Sequence, residues 1–247
     1  MKGSKCLRLF ASALAVLGAT VSLHASQLVN NLKAGKDQTV VAYGTSLTEK
    51  SVWPERIQAW LNSQGYKGKA AVLNKGVSGS TSASHGIKDL HRDVIEQKPD
   101  TVIIEFGMND CIRRLADPSA NPPRLVDQPQ PAVPLEQFKK NLVAMVDGVR
   151  KELPNTEIFL MTMNPAFDSA ATPNSGKYRA ALADYYAAVK EIASSQAVKL
   201  IDIYPQWLET LKRDPSAQGK FIPDGVHPAP AGVDAVAVPV IEEALSK

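Results

Sequence analysis

The chain has little cysteine: only Cys6 and Cys111 occur among its 247 residues. Cys6 lies in a segment that we interpret below as an export signal, which leaves Cys111 as the only cysteine of the mature chain. One cysteine excludes an intrachain disulfide, and a lone cysteine is more often a small buried apolar residue than a nucleophile. Since the sequence also lacks a Cys/His cluster, we predict no metal ion and no organic cofactor.

The sequence also lacks an excess of one charge once its first 25 residues are set aside. Lys2, Lys5 and Arg8 are three of the 28 basic residues, whereas none of the 25 acidic residues lies in that segment, so charges balance in the rest of the chain. The basic character therefore belongs to the N-terminal segment alone. We predict no nucleic-acid partner, because nothing in the remaining chain favours a polyanion.

The first 25 residues differ in kind from the rest. Their basic residues precede an apolar run, Leu9–Leu23, and Leu23-His24-Ala25 could serve as a cleavage site. This order is typical of a secretory signal peptide, and the run is short for a membrane span. We predict that residues 1–25 are a signal peptide and that the protein is secreted or periplasmic, without stable membrane insertion after cleavage. The alternative is an uncleaved anchor; Cys6, with no apolar run before it, does not look like a lipoprotein cysteine.

Five short apolar runs rich in β-branched residues alternate with helical patterns along residues 26–247. The predicted strands are Thr39–Tyr43, Ala70–Asn74, Thr101–Phe106, Glu157–Met161 and Val198–Ile203. Continuous apolar strands that alternate with helices are typical of a parallel sheet covered on both faces. The sequence thus predicts a single α/β domain over residues 26–247, with a five-stranded parallel sheet in a three-layer α/β/α arrangement.

Apolar residues at helical spacing predict the helices. Four amphipathic stripes begin at Trp53, Ile87, Phe138 and Leu182. A last helix is expected over Ala231–Leu245, where Pro239 should kink or restart it, and Ser26–Lys36 could add a short one. His85 and His91 flank Asp89 in the second pattern, but positions i and i+6 do not share a helix face, so we interpret them as solvated residues rather than metal ligands.

Polar residues follow the predicted strands, at the sheet edge where open α/β proteins place their chemistry. Ser46 follows the first strand, the small-residue turn Gly76–Thr81 follows the second, and Gly107–Asp110 follows the third. Asp224–His227 lies near the C-terminus. A nucleophile, an amide donor and an acid–base pair are therefore present in the chain order Ser, Asp, His.

The same order occurs in α/β-hydrolases, but their nucleophile sits in a Gly-x-Ser-x-Gly elbow. Here Thr48 occupies the position of the second glycine, and Ser46 follows the first strand, which argues against that fold. The four blocks instead resemble the SGNH/GDSL hydrolase family, from about Thr39 to the end of the chain. The blocks are 44–47, 78–81, 107–110 and 224–227. Thr45 replaces the Asp of the family's usual Gly-Asp-Ser, which bears on the hydrogen bonds of this turn and on the subfamily.

The resemblance implies a flavodoxin-like SGNH hydrolase fold and a serine esterase that works through an acyl-serine intermediate. Ser46 would be the nucleophile, His227 the base, and Asp224 the residue that orients His227. The backbone N–H groups of Ser46 and Gly79 and the side-chain amide of Asn109 would form the oxyanion hole. Each residue also has a plainer interpretation. His227 could be an ordinary surface residue, Asn109 a turn former, and Gly79 a position that needs a positive φ angle.

The resemblance leaves the ester open, because the family includes thioesterases, lysophospholipases, arylesterases and carbohydrate deacetylases. Export argues against an intracellular acyl-CoA, and the sequences Gly44–Thr48, Trp53-Pro54 and Phe106–Asp110 look similar to members that deacetylate polysaccharides. We therefore favour a carbohydrate O-acetylesterase acting on a small-molecule or polysaccharide ester. The alternatives are a short-chain acylester hydrolase or lysophospholipase of the same fold and, in another class, an inactive carbohydrate-binding module. The oligomeric state is open.

A long proline-rich segment, residues 111–134, follows the third block. Loops of this length inside a domain are often functional, so we expect it to form one wall of the pocket and residues 164–175 to face it. Arg113, Arg114 and Arg124 suit sugar or uronate contacts better than a lipid tail, ordinary solvation being the alternative.

Overall fold

The computed structural model describes residues 26–117 and 124–247, except for the side chains of residues 115–117, 124 and 125. The predicted signal peptide, residues 1–25, and the side chain of Arg124 lie outside these described residues. The division into a signal peptide and one domain therefore stays a prediction. Within the described ranges, no helix is both long and apolar enough to cross a bilayer. Cys111 is fully buried and unpaired, as a small apolar residue would be.

A five-stranded parallel sheet forms the centre of the molecule, and a two-stranded antiparallel hairpin lies beside it. The strands are β1 (Gln38–Gly44), β2 (Ala70–Gly76), β3 (Thr101–Glu105), the hairpin β4 (Arg114–Asp117) and β5 (Arg124–Asp127), β6 (Glu157–Thr162) and β7 (Lys199–Asp202). The sheet order β2-β1-β3-β6-β7 is the flavodoxin-like order. Successive strands are added on one side of β1 and then on the other, so the strand order reverses between β1 and β3. All five predicted strands are confirmed, with ends shifted by one or two residues. The hairpin β4–β5, inside the predicted loop, was not predicted.

Helices cover both faces of the sheet. They are α1 (Gln27–Lys33), α2 (Ser46–Glu49), α3 (Trp53–Ser63), α4 (Leu90–Asp93), α5 (Leu135–Glu152), α6 (Ser175–Tyr178), α7 (Leu182–Ser195), α8 (Tyr204–Arg213), α9 (Ala217–Phe221), α10 (Pro230–Gly232) and α11 (Val238–Ser246). The stripes predicted for α5 and α7 are fully buried, and these two helices pack together. α1 and α3 pack against α11. α8 buries only Trp207 and was not predicted.

The second predicted helix is broken, which corrects the sequence prediction. A π-helical turn at Ser82–Gly86 precedes α4, a 3₁₀ turn at Ile95–Gln97 follows it, and Ile87 is exposed rather than in the core. The buried Tyr43 hydroxyl provides a physical reason, because it donates to the carbonyl oxygens of His85 at 2.5 Å and Gly86 at 3.2 Å. The His85 carbonyl still accepts the helical hydrogen bond from Asp89 N–H at 3.0 Å, whereas the Gly86 carbonyl, which would accept from Leu90 N–H in a continuous helix, accepts from Tyr43. A side chain from β1 thus competes with the helix.

The last predicted helix is confirmed with its irregularity. α10 continues through a π-helical turn, Val233–Ala237, into α11, and Pro239 is the second residue of α11. Proline has no N–H to donate and its ring displaces the preceding turn, so the helix widens immediately before it.

Candidate active site

Ser46 is the first residue of the short helix α2, one residue beyond the turn that ends β1. Thr45 caps this helix: its Oγ1 accepts a hydrogen bond from the backbone N–H of Leu47 at 3.2 Å. The cap holds Ser46 in helical conformation at the carboxyl edge of the sheet. The turn therefore presents the Ser46 hydroxyl at the end of strand β1, the second strand of the sheet.

A buried carboxyl group beneath the turn fixes its conformation. Glu105 Oε2 accepts hydrogen bonds from Thr45 N at 3.0 Å, Thr45 Oγ1 at 2.9 Å and Thr48 Oγ1 at 3.1 Å. Its other oxygen has no partner among the described residues. Complete burial raises the pKa of Glu105 to about 7, against the opposing effect of the hydrogen bonds from Thr45 and Thr48. The hydroxyl of Thr45 thus both donates to Glu105 and caps α2.

Glu105 and the role of Thr48 were missed in the sequence. A signal was present, since Glu105 is the one charged residue in the apolar run Val102–Phe106. A buried strand residue of this kind requires hydrogen-bonding partners. The sequence did not indicate that those partners lie in the turn that carries Ser46.

The structure brings Ser46, His227 and Asp224 together in one chain of hydrogen bonds. His227 Nε2 lies 2.9 Å from Ser46 Oγ, and His227 Nδ1 lies 2.7 Å from Asp224 Oδ2. Asp224 Oδ1 also accepts from the backbone N–H groups of Val226 at 2.8 Å and His227 at 2.7 Å. Burial opposes ionisation of Asp224, but the hydrogen bonds from His227 and Val226 outweigh it and lower the pKa of this carboxyl. An ionised acceptor at Nδ1 directs the other ring nitrogen toward Ser46.

The loop that carries Asp224 and His227 is fastened to residues 164–175. The backbone N–H of Phe167 donates to Gly225 O at 2.7 Å, and Asn164 Nδ2 donates to Val226 O at 2.7 Å. Gly225 has a φ angle of +78°, and a Cβ at this position would collide with the carbonyl oxygen of Phe167. The close approach therefore requires glycine here.

The predicted amide donors line the same pocket as Ser46 and His227. Gly79 has a φ angle of +74°, and among the described residues no group accepts from its N–H or from that of Ser46. Asn109 Nδ2 donates one hydrogen to Ser80 O at 2.9 Å, which leaves the second available to the pocket. Buried Asp110 connects the segment that carries Gly79 to the turn that carries Asn109. It accepts hydrogen bonds from the N–H groups of Ser82 at 2.8 Å and Gly107 at 3.0 Å.

The pocket has a volume of about 320 Å³. The lining residues include five with a hydroxyl or amide side chain: Ser46, Ser78, Asn109, Thr172 and Ser175. Segment 111–134 contributes Ile112 and Arg114 of its described side chains, whereas Arg113 is exposed elsewhere and donates to Pro129 O at 2.8 Å. Of residues 164–175, which were expected to face segment 111–134, Thr172 and Ser175 line the pocket.

His85 is buried, so its interpretation as a solvated residue is wrong; His91 is exposed. His85, Asp89 and Asp93 are the one group of potential metal ligands within the described ranges. Both carboxylates pair with Arg92, and His85 Nε2 faces the carbonyl oxygen of Lys75 at 2.9 Å. The cluster lies outside the pocket and its polar atoms are already paired.

Comparisons with known proteins agree with this geometry. A model of the GDSL-like lipase/acylhydrolase family matches residues 39–235. Esterase TesA of Pseudomonas aeruginosa is 29% identical over 199 residues, covering 78% of this chain and 80% of TesA. The uncharacterized lipoprotein YqeF of Bacillus subtilis is 25% identical over 220 residues, covering 79% of this chain and 84% of YqeF.

Among solved structures, the fold is similar to that of Axe2, an acetylxylan esterase from Geobacillus stearothermophilus. The TM-score is 0.66 at 22% identity, covering 87% of this chain and 97% of Axe2. Structures of Axe2 catalytic mutants, in which an aspartate, a serine or a histidine is replaced by alanine, are similar too. The family match covers most of the chain and the sheet order is that of its fold. The chain therefore belongs to the GDSL-like lipase/acylhydrolase family and is a carboxylic ester hydrolase.

Proposed function

We propose that this protein is an exported carbohydrate O-acetylesterase in which Ser46, His227 and Asp224 form the catalytic triad. The observation that carries the catalytic assignment is the hydrogen-bonded series Ser46 Oγ, His227 Nε2, His227 Nδ1 and Asp224 Oδ2, with distances of 2.9 and 2.7 Å. Both distances are hydrogen-bond distances, and the first allows direct proton transfer from Ser46 to His227. The replaced aspartate, serine and histidine of Axe2 support the same set of residue types.

The mechanism follows from these contacts. His227 removes the proton from Ser46 Oγ as the oxygen attacks the ester carbonyl carbon, and Asp224 stabilises the resulting imidazolium. The carbonyl oxygen becomes an oxyanion, which accepts hydrogen bonds from the N–H groups of Ser46 and Gly79 and from Asn109. Collapse breaks the bond between the carbonyl carbon and the sugar oxygen, and His227 protonates that leaving oxygen.

The second half of the reaction regenerates the enzyme. Water attacks the acetyl-Ser46 carbonyl carbon while His227 takes one of its protons. Collapse of the second tetrahedral intermediate releases acetate and returns the proton to Ser46 Oγ. Because the same oxyanion donors serve both steps, loss of one donor should slow both acylation and deacylation.

The pocket favours a short acyl group on a hydroxylated alcohol. It is small, and the hydroxyl and amide groups of its wall can exchange hydrogen bonds with sugar hydroxyls. A lysophospholipid would require a long apolar channel, whereas the apolar lining side chains here are Ile112, Tyr178 and Val226. The activity of Axe2 on acetylxylan, in a similar fold, supports this choice. Export is supported by the sequence of residues 1–25 and by the relative YqeF, a lipoprotein.

The proposal is tested by acetate release from a panel of acetylated polysaccharides with the wild type, Ser46→Ala and Ser195→Ala. Ser195 is the matched control, because its hydroxyl donates to Ile192 O in α7, away from the pocket. We expect release by the wild type and Ser195→Ala only. p-Nitrophenyl esters from acetyl to octanoyl provide a second test. A preference for chains longer than butyryl would contradict the deacetylase assignment, and no hydrolysis of any ester would favour the inactive binding module.

A further inference from the structure

The pocket wall carries an excess of positive charge that the chain as a whole does not have. Lys50, Arg114 and Arg179 line the pocket together with Ser46 and His227, and no lining residue is acidic. Residues 26–247, in contrast, contain equal numbers of basic and acidic residues. The cations are therefore concentrated at the site where the ester binds.

Arg179 is held in place by neutral groups only. Its Nε donates to Met108 O at 3.1 Å, and its Nη1 donates to Ser175 Oγ at 2.6 Å and Ser175 O at 3.3 Å. Within the described ranges, no carboxylate pairs with Arg179 and Nη2 has no acceptor. Burial lowers the pKa of this guanidinium because it desolvates the charge, and the charge of Asp224 opposes this cost only in part. An anion that bound Nη2 would compensate this cost.

Arg114 and Lys50 add positive charge to the same pocket. The guanidinium carbon of Arg114 lies 5.2 Å from the ring centroid of Tyr178, and the described residues provide neither Arg114 nor Lys50 with an ion pair. Arg114 and Arg179 are close enough to repel each other, since Arg114 contributes to lowering the pKa of Arg179. Two guanidinium groups that line one pocket can bind a shared anion.

The acidic residues near the pocket are already occupied by other donors. Glu49 accepts from the N–H and hydroxyl of Ser78, and Asp168 accepts from the N–H groups of Gly176 and Lys177. Asp224 accepts from His227. Asp127 lies opposite Arg114 in the β4–β5 hairpin and hydrogen-bonds the Tyr178 hydroxyl. Of the described acidic side chains around the pocket, none forms an ion pair with Lys50, Arg114 or Arg179.

We propose that Arg179 and Arg114, with Lys50 at the rim, form a subsite for a carboxylate of the substrate glycan. The substrate would then be an acetylated, uronate-containing polysaccharide, in which a sugar carboxylate lies close to the acetyl ester. This assignment rests on the proposed function for the identity of the glycan. A planar carboxylate matches the paired N–H groups of a guanidinium, which is the reason for preferring it to a neutral sugar.

The subsite is tested by inhibition of p-nitrophenyl acetate hydrolysis by trigalacturonate and by galactotriose. We expect the anionic trimer to inhibit competitively with an inhibition constant about tenfold lower or more, as charged hydrogen bonds require. The ratio of the two constants should fall toward one in about 1 M salt, where exposed charges are screened. A ratio near one at low salt in the wild type would overturn the subsite.

Variants locate the subsite. Arg114→Gln and Arg179→Gln should each reduce the ratio by about threefold or more, whereas Arg179→Lys should retain more of it. Arg113→Gln is the matched control, because this neighbouring arginine binds Pro129 O outside the pocket. Arg114→Gln keeps the test valid if Arg179→Gln fails to fold. An equal reduction in Arg113→Gln, or equally strong inhibition by glycerol phosphate, would overturn the uronate assignment.

Acetate release separates this inference from the proposed function. Release from acetylated polygalacturonate in preference to neutral acetylated xylan, lost at high salt, would support both. Equal release from the two polymers at every salt concentration would retain the deacetylase and overturn the subsite. Release from neither polymer would contradict the deacetylase, while selective inhibition by trigalacturonate would still support the subsite.

Discussion

Two histidine–aspartate pairs in this protein are built alike and differ in what surrounds them. Nδ1 of His227 lies 2.7 Å from Asp224, and Nδ1 of His85 lies 3.1 Å from Asp89. The second ring nitrogen differs: Nε2 of His227 meets the Ser46 hydroxyl at 2.9 Å, whereas Nε2 of His85 meets the carbonyl oxygen of Lys75 at 2.9 Å. The side chain of His227 is 40% exposed and that of His85 is 2% exposed.

The difference shows that the chemical role of a histidine–aspartate pair depends on two things. One is the group that contacts the second ring nitrogen, and the other is whether the imidazole is accessible from a pocket. A hydroxyl can give up a proton to imidazole, but a carbonyl oxygen has none to give. His85 is moreover enclosed by Tyr43 and Phe106, whose rings lie 4.5 and 6.3 Å from its own between centroids. The Asp89 side of that pair is neutralised by Arg92. His85 therefore fastens the interrupted helix to β2, while His227 faces the pocket.

Replacing each histidine tests this contrast most strongly. His227→Gln should lower kcat on the order of 10⁶-fold, because it removes the base from a unit whose members act together. His85→Gln should leave kcat nearly unchanged and lower the free energy of unfolding by about 1–3 kcal/mol, the cost of disturbing buried hydrogen bonds. p-Nitrophenyl acetate kinetics and urea unfolding measure the two effects. Similar loss of activity in both variants would break the comparison.

Replacing each aspartate is expected to show the next largest effect. Asp224→Asn should lower kcat about 10⁴-fold, since the amide stabilises the wrong tautomer of the imidazole. Asp89→Asn serves as the matched control: it alters the same kind of contact to His85, and we expect full activity with a lower melting temperature. If Asp224→Asn kept substantial activity, Asp224 would be an anchor of its loop and no more.

The predicted oxyanion donor gives a smaller effect. Asn109→Ala should cost about 2.7–4 kcal/mol of transition-state stabilisation, a loss of about 10²–10³ in kcat. The control is Asn141→Ala in the buried region, where Asn141 Nδ2 donates to Ser82 Oγ at 2.9 Å. That variant should lose stability and keep kcat. Steady-state kinetics on folded samples measure kcat for both variants. An unchanged kcat in Asn109→Ala would show that this residue is not part of the oxyanion hole.

Titration of the buried carboxyl of Glu105, beneath the turn that carries Ser46, should make the free energy of unfolding depend on pH. Burial raises the pKa of Glu105 from 4.5 to about 7, so between these values only the folded state holds the proton. Stability should therefore fall as the pH rises through this interval, on the order of 2–3 kcal/mol for Glu105. Asp110, with its pKa raised to about 6 by burial, contributes in the same direction.

Glu105→Gln removes one of these two contributions. Its melting temperature should fall less steeply than that of the wild type between pH 4.5 and 7. Parallel melting curves against pH for the two proteins would show that Glu105 does not titrate in this interval. Since the amide retains one oxygen to accept from Thr45 and Thr48, most of the activity should survive.

Long, strongly patterned segments were predicted well and irregular ones poorly. The five strands and helices α5 and α7 follow from apolar periodicity, because the spacing of apolar residues indicates which face of each element is buried. The second helix failed because the hydroxyl of Tyr43, about forty residues earlier in the chain, donates to the Gly86 carbonyl that a continuous helix would use. No local pattern contains that contact.

The amino-acid sequence by itself determined the sheet, the order of the four blocks and the residue types available for catalysis. The resemblance assigned the base to His227, and the tertiary structure brings His227 rather than His85 to Ser46, although both histidines have an aspartate nearby in the sequence. The tertiary structure also decided that Thr45 and Thr48 share a buried carboxyl and that Arg114 and Arg179 line the same pocket. These are contacts between residues distant in sequence, and their energies depend on burial and on three-dimensional proximity.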